Sequence, residues 1–212
     1  MPDNEPPDDL GIALEPVEDA EAPMIPRPDA RNHGARCVGT PWDQPLPVFV
    51  QVRAVEAMFT DAETHQPLET GGILVGRPCR DEQGEYLRIV DALPVGDAPR
   101  EPDRLTFTRE GWVEMLARRE AAYPDEQVAG WYHTHPGLRV FLSEPDQLIH
   151  RAFFSRPSDV AVVLDLMRRE WGIFAWHGDC LELTQGFTLY GDAPEDGAGL
   201  AAILGRFAAR TG

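Results

Sequence analysis

Two histidines and an aspartate carry the clearest chemistry in the chain. They lie in GWYHTHPGLRVFLSEPD, where His133 and His135 are separated by one residue and Asp146 follows after ten more. The stretch 128–134 reads as a strand, in which alternate side chains share a face, so the two imidazoles point the same way. Pro136 and Gly137 stop the strand, and the loop behind them can bring Asp146 back to the histidines. Two imidazoles and one carboxylate suit Zn²⁺ with a fourth tetrahedral position left open, a ligand set of catalytic rather than structural type. The plainer alternative is two histidines on one strand beside an ordinary loop aspartate. Spacing alone leaves both readings open.

A second stretch bears on the choice. Glu69 opens ETGGILVG, a short apolar run with paired glycines, and Ser143 stands three residues before Asp146 in FLSEPD. The joint pattern of a glutamate, a long gap, HTHP, then the serine and the aspartate resembles the JAMM motif of the JAB/MPN+ zinc metalloproteases. In the details ETGGIL, HTHP and FLSEPD it is most similar to the endosomal deubiquitinase branch. The resemblance covers residues 48–190. It implies the MPN/JAB fold, an α/β layering similar to that of cytidine deaminases, and one zinc per chain on His133, His135 and Asp146. It further implies a zinc-dependent isopeptidase or peptidase that cleaves after the C-terminal tail of ubiquitin or a ubiquitin-like protein.

In that chemistry Glu69 is the general base that takes a proton from a zinc-activated water and passes it to the leaving amine. Ser143 donates to the oxyanion of the tetrahedral intermediate. Ser143 also reads as the cap of the helix that follows, with Asp146 as its acidic partner, and the two roles are compatible. The other histidines, His33, His65, His150 and His177, form no second ligand cluster. The endosomal enzymes carry a second, structural zinc after the motif, so their preference for a chain linkage is not carried over. Two alternatives stand beside the isopeptidase. One is a JAMM peptidase processing a sulfur-carrier protein, and the other is a non-catalytic MPN scaffold, which the retained ligand set disfavours.

Helices and strands must alternate to position these residues. Strands are expected at 48–52, 70–76, 86–93, 128–134, 160–166, 172–177 and 181–189. Gly71 and Gly72 suggest close backbone approach in the second of these. Helices are expected at 53–65, from a cap at Thr106 or Thr108 to residue 123, at 145–155 and at 200–210. In the third helix Leu148, Ile149, Ala152 and Phe153 are the expected core contacts, with His150 at the surface or half buried. The interleaving predicts a mixed β-sheet flanked by helices. The acidic segment 81–103 is the expected clamp on a substrate tail.

Composition bounds the partners. The chain has 212 residues, a net charge of −17 and 42% hydrophobic residues. Such a charge excludes nucleic acid and anionic lipid as natural partners. No apolar run approaches the ~20 residues of a membrane span. The first residues are acidic and proline-containing, unlike a signal peptide, so a cytoplasmic protein is expected. Cys37, Cys79 and Cys180 form no disulfide framework and no CxxC knuckle. Residues 1–47 hold ten of the 20 prolines and ten acids against three arginines, which predicts a disordered acidic tail. The domain is expected at 48–190, followed by a linker at 191–199 and an amphipathic helix, making up residues 191–212. That helix docks on its own domain or meets a partner, and the tail is the other candidate for partner contacts. All 19 basic residues are arginine, with no lysine anywhere.

Overall fold

The computed structural model describes residues 21–96, 100–101, 104–105 and 107–212, with backbone alone at 100–101 and 104–105. The N-terminal half of the expected tail, most of the expected clamp beyond residue 96, and Thr106 lie outside these residues. In chain order the elements are α1 (Ala30–His33), β1 (Arg36–Gly39), β2 (Val48–Gln51), α2 (Val52–His65), β3 (Gly71–Asp81) and β4 (Gly84–Pro94). Two short strands follow, β5 (Arg100–Glu101) and β6 (Arg104–Leu105), then α3 (Arg109–Ala122), β7 (Gln127–Thr134) and α4 (Glu144–Phe153). The chain continues with β8 (Val160–Asp165), β9 (Glu170–His177), β10 (Cys180–Leu183) and β11 (Gly186–Tyr190). A 3₁₀ turn (Pro194–Asp196), α5 (Gly197–Arg206) and β12 (Ala208–Arg210) complete it.

The expected mixed sheet with flanking helices is what forms. Its strand order is β1-β11-β2-β4-β3-β7-β8-β9-β10, with β12 paired to β9. The pairings β2–β4, β2–β11, β7–β8 and β9–β12 are parallel, and the others in this sheet are antiparallel. Strands β7 and β8 are joined through α4, as a parallel pair requires.

Side-chain parity divides the core in two. Leu74, Tyr132, Val162 and Leu164 face one side and pack with Val55, Met58 and Phe59 of α2 and Leu200 of α5. Ile73, Val75, Trp131, Ala161 and Val163 face the other and pack with Trp112 and Met115 of α3 and with Phe154 at the end of α4. The central strands are covered on both faces, which is why they read as unbroken apolar runs rather than as alternations.

Glycines permit close approaches in this sheet, two of them on the strands that carry the site. A Cβ on Gly72 would sit 2.1 Å from the Leu93 carbonyl oxygen. At Gly130 the backbone has φ +140° and a Cβ would sit 1.9 Å from the Val160 carbonyl oxygen, so any side chain there would push β7 off β8.

Four expectations differ from the structure. The segment 21–47 is built into the fold rather than disordered: β1 adds a strand antiparallel to β11, and the Ile25 and Arg80 amides bond across to the Arg80 and Pro23 carbonyls. Its order comes from pairing with distant strands and from Arg27 set over the rings of Trp42 and Tyr86, none of which local composition reveals. In place of a flexible linker at 191–199 there is a 3₁₀ turn leading directly into α5. Much of the expected clamp is strand, since β3 reaches Asp81 and β4 fills 84–94. In α4, Leu148 is 67% exposed and Ala152 is exposed, whereas His150 is fully buried. The reason is that Asp146 turns inward, and the positions one and two turns on from it, His150, Phe153 and Phe154, must then face the sheet. The C-terminal helix docks on its own domain, with Leu200 buried and Phe207 stacked on Phe59 at 4.1 Å between centroids.

Candidate metal centre

The site lies at the C-terminal end of β7, where α4 crosses over to β8. Register explains how its parts meet. Gly71 is the partner of His133 in the antiparallel β3–β7 ladder, and continuing that ladder by two residues sets Glu69 opposite His135. Residues opposite one another share a face, so Glu69, His133 and His135 all stand on the α3/α4 side of the sheet. Gly71 offers no side chain between them. The backbone just before β3 is held to β7 by Thr134 N–H to the Thr70 carbonyl at 2.9 Å, and by Thr70 N–H to Thr134 Oγ1 at 2.9 Å.

Asp146 approaches from α4. Ser143 caps this helix in a capping box: its hydroxyl donates to Asp146 Oδ2 at 2.5 Å, and its amide donates to the same oxygen at 2.7 Å. The cap thereby aims the carboxylate at the histidines. Asp146 Oδ2 lies 3.4 Å from His133 Nε2 and 3.4 Å from His135 Nε2, and the two Nε2 atoms are 3.1 Å apart. Around a tetrahedral zinc with bonds of about 2.0–2.1 Å, neighbouring ligand atoms are about 3.3–3.4 Å apart. Three donors already spaced near that edge length, on a two-imidazole, one-carboxylate set, fit a zinc ion. Among the described residues these three are the group of side chains that could hold a metal.

Burial and packing fix the rings. His133 and His135 are buried; the His133 ring stacks on Trp131 at 4.4 Å, and Phe141 lies 4.7 Å from the His135 ring. His135 Nδ1 is 3.2 Å from the Arg139 carbonyl oxygen, so Nδ1 carries the proton and donates it there, which frees Nε2 for a metal. Burial pushes the His133 imidazole below its ordinary pKa despite the neighbouring Asp146. Burial acts the same way on His135, but Asp146 and Glu69 outweigh it and raise that group. Burial opposes ionisation of Asp146, yet the two imidazoles and the Ser143 hydroxyl hold its carboxyl well below the usual carboxylate range. An ionised carboxylate beside a neutral His133 is the protonation pattern a metal ligand set needs.

A family described as prokaryotic homologs of the JAB domain matches residues 51–173, more than half of the chain. The chain belongs to the JAB family. The match falls inside the expected domain at 48–190 and contains Glu69, His133, His135, Ser143 and Asp146. Over 126 residues the JAB chain is 27% identical to the NAD(+) hydrolase TcpA of Theionarchaea archaeon (strain DG-70-1), covering 59% of this chain and 36% of that protein. It is 29% identical to the 26S proteasome non-ATPase regulatory subunit 14 of Dictyostelium discoideum, over 57% of this chain and 40% of that one. It is 33% identical to the COP9 signalosome complex subunit 5 of Gibberella zeae (strain ATCC MYA-4620 / CBS 123657 / FGSC 9075 / NRRL 31084 / PH-1), over 50% of this chain and 32% of that one. The JAB chain therefore spans less than half the length of these curated relatives. Its fold is similar to the solution structure of a Desulfitobacterium hafniense protein, with TM-score 0.51 and 18% identity over 68% of this chain and 92% of that one.

Sequence reasoning missed the groups behind the site. Asp61 of α2 is buried, and its Oδ2 accepts from the Thr70 hydroxyl at 2.9 Å and the Tyr132 hydroxyl at 2.8 Å, while Oδ1 lies 3.0 Å from His65 Nδ1. It ties the helix to the residue after Glu69 and to the residue before His133. A carboxylate inside the apolar stripe of Val55, Met58, Phe59 and Ala62 was the available signal. His150, expected at the surface or half buried, is fully buried and accepts the Trp131 indole N–H on Nδ1 at 3.0 Å, which orients the ring stacked on His133.

Proposed function

We propose that the protein is a JAMM-type zinc-dependent isopeptidase or peptidase that cleaves after the C-terminal tail of a ubiquitin-like protein. The carrying observation is the near-tetrahedral spacing of His133 Nε2, His135 Nε2 and Asp146 Oδ2 on the same sheet face as Glu69. One zinc ion per chain would be held by these three side chains. When bound, zinc lowers the pKa of water from 15.7 to about 7 and polarises a carbonyl oxygen. Glu69 is buried beside His135, where a carboxylate can accept the proton of an attacking water and return it to the leaving amine. Ser143 caps α4 and aims Asp146 by donating its hydroxyl to Oδ2, and in catalysis that hydroxyl would have to turn from the carboxylate to donate to the developing oxyanion.

The kind of substrate is supported by the motif resemblance to deubiquitinases and by relatives named for the 26S proteasome and the COP9 signalosome. A further relative is named as an NAD(+) hydrolase and, like the others, is matched over less than half of its length. A cytoplasmic setting with a soluble ubiquitin-like partner fits the net charge of −17 and, among the described residues, the lack of any helix long and apolar enough to cross a membrane.

The test is cleavage of a ubiquitin-like protein fused through its C-terminal tail to a reporter, measured with zinc and with a chelator. Zinc-dependent release of the reporter, reduced by roughly 10²–10⁴-fold in Glu69→Gln, is expected. Capture with Glu69→Gln from native extract should recover a small protein with a glycine-rich C-terminus; attachment to target lysines selects the isopeptidase over the sulfur-carrier peptidase. Failure of the wild type to cleave any such fusion with zinc present transfers the protein to the scaffold class.

A further inference from the structure

We infer that Asp165 is a positioning residue for the metal centre, acting through the loop that fixes His135. Asp165 ends β8 on the same sheet face as the histidines and is 0% exposed. Its carboxylate gathers the turn that follows His135: Oδ1 accepts the Gly137 amide at 3.0 Å and the Arg168 amide at 3.1 Å, and Oδ2 accepts the Arg139 amide at 2.8 Å. The Arg168 side chain closes the group, its Nε donating to the Gly137 carbonyl at 2.9 Å. A buried carboxylate without such donors is costly, so the turn and the aspartate hold each other.

The turn so held is not a relaxed one. Arg139 sits at φ +83°, a left-handed conformation that a long side chain rarely adopts. That conformation brings the Arg139 carbonyl to His135 Nδ1. Asp165 takes the Arg139 amide, the carbonyl of the same residue takes the imidazole proton, and Nε2 is left for the metal. Strained backbone persists where its surroundings over-determine it, and here the over-determining group is Asp165. The side chains of Ser143 and Asp146 at the start of α4 bond to one another rather than to this turn.

The inference rests on reading His133, His135 and Asp146 as metal ligands, and the test separates the two. In Asp165→Asn the side chain keeps its shape and can retain the Oδ1 bonds, but it turns an N–H toward the Arg139 amide. Zinc affinity, measured by competition with a chelator, should fall by roughly 10–100-fold, the range for lost outer partners of a ligating histidine. The His135 Nδ1–H signal in ¹H–¹⁵N spectra of the zinc form should weaken or shift. A role in folding alone would lower the melting temperature of the metal-free protein and leave both readouts as in wild type.

A second measurement needs no variant. Coupling between two sites is reciprocal, so if the turn strengthens zinc binding, zinc must slow hydrogen exchange at the Arg139 and Gly137 amides. Unchanged zinc affinity in Asp165→Asn, or equal exchange at these amides with and without zinc in wild type, overturns the inference while leaving the metal reading intact. A wild type that binds no zinc overturns both.

Discussion

At the scale of single residues, the site works by giving each polar group one fixed task. Glu69 is the proposed proton carrier, so Glu69→Gln should retain zinc and fold while losing turnover by roughly 10²–10⁴-fold, the usual share of general acid–base catalysis. Near-normal turnover in that variant would remove Glu69 from the chemistry. His150 has a different task, supporting Trp131 from inside the core. Burial, with Arg151 adding to it, pushes its imidazole down to about 4. A histidine whose folded pKa is lowered contributes fully above its unfolded value of about 6.5 and loses that contribution as pH falls toward 4. Stability of the metal-free protein should therefore decline between about pH 6.5 and 4, by up to roughly 3 kcal/mol from this group at 1.36 kcal/mol per unit. Denaturant melts of wild type and His150→Phe across that window check it; the same acid slope in both would show that His150 is not its source.

At the scale of elements, α4 matters most because it serves two ends. Its first turn presents Asp146 and its inner face presents His150 and Phe154 to Trp131. Ser143→Ala removes a capping hydroxyl that costs about 1 kcal/mol to lose. It also leaves Asp146 Oδ2 with the Ser143 amide alone of the two donors that aim it, so zinc affinity should drop together with the melting temperature. A fall in melting temperature with unchanged zinc affinity would mean that the cap serves the helix alone. The β7–β8 contact is as exacting. Gly130→Ala should be strongly destabilising, because the added methyl meets the Val160 carbonyl and the backbone there has positive φ. Soluble expression at the wild-type melting temperature would show that the strands can separate at that point.

At the scale of the whole molecule, the segment 21–47 is part of the domain. It adds β1 to the sheet edge, covers the ring cluster of Phe49, Tyr86 and Tyr190 with Ile25 and Ala35, and buries Arg27 against Asp81 at 3.3 Å. Deleting residues 1–45 should lower the melting temperature by several degrees, since each kcal/mol lost shifts a domain of this size by about 2–4 °C. An unchanged melt would show that the edge strand adds no net stability. Zinc binding should move stability the other way, by mass action on the folded state, and the gain should shrink below neutral pH as His135, its pKa raised by Asp146 and Glu69, takes up a proton. Thermal melts with and without zinc between pH 5 and 8 measure this; a zinc-induced shift independent of pH would exclude histidine ligation.

The α/β layering could be read from the sequence because it rests on short-range rules, whereas the proposed ligand set and base were legible only as a motif that resembles the JAMM metalloproteases. Alternation along one strand aligns His133 with His135, a cap ties Ser143 to Asp146 three residues on, and helical and strand periods interleave along the chain. Only the tertiary structure decided the rest, because it depends on which distant segments meet. Register, set by the β3–β7 ladder, is what puts Glu69 opposite His135. The direction of Asp146 is what turns Leu148 outward and His150 into the core, against the apolar pattern of the helix. Asp61 and Asp165 are single acids on apolar elements; that placement marks them as buried, but which donors each carboxylate gathers depends on distant segments. The segment 21–47 has the composition of a disordered tail, yet it is ordered by backbone bonds to a sheet edge and by Arg27 packed on Tyr86 and paired with Asp81, partners that lie far away in sequence.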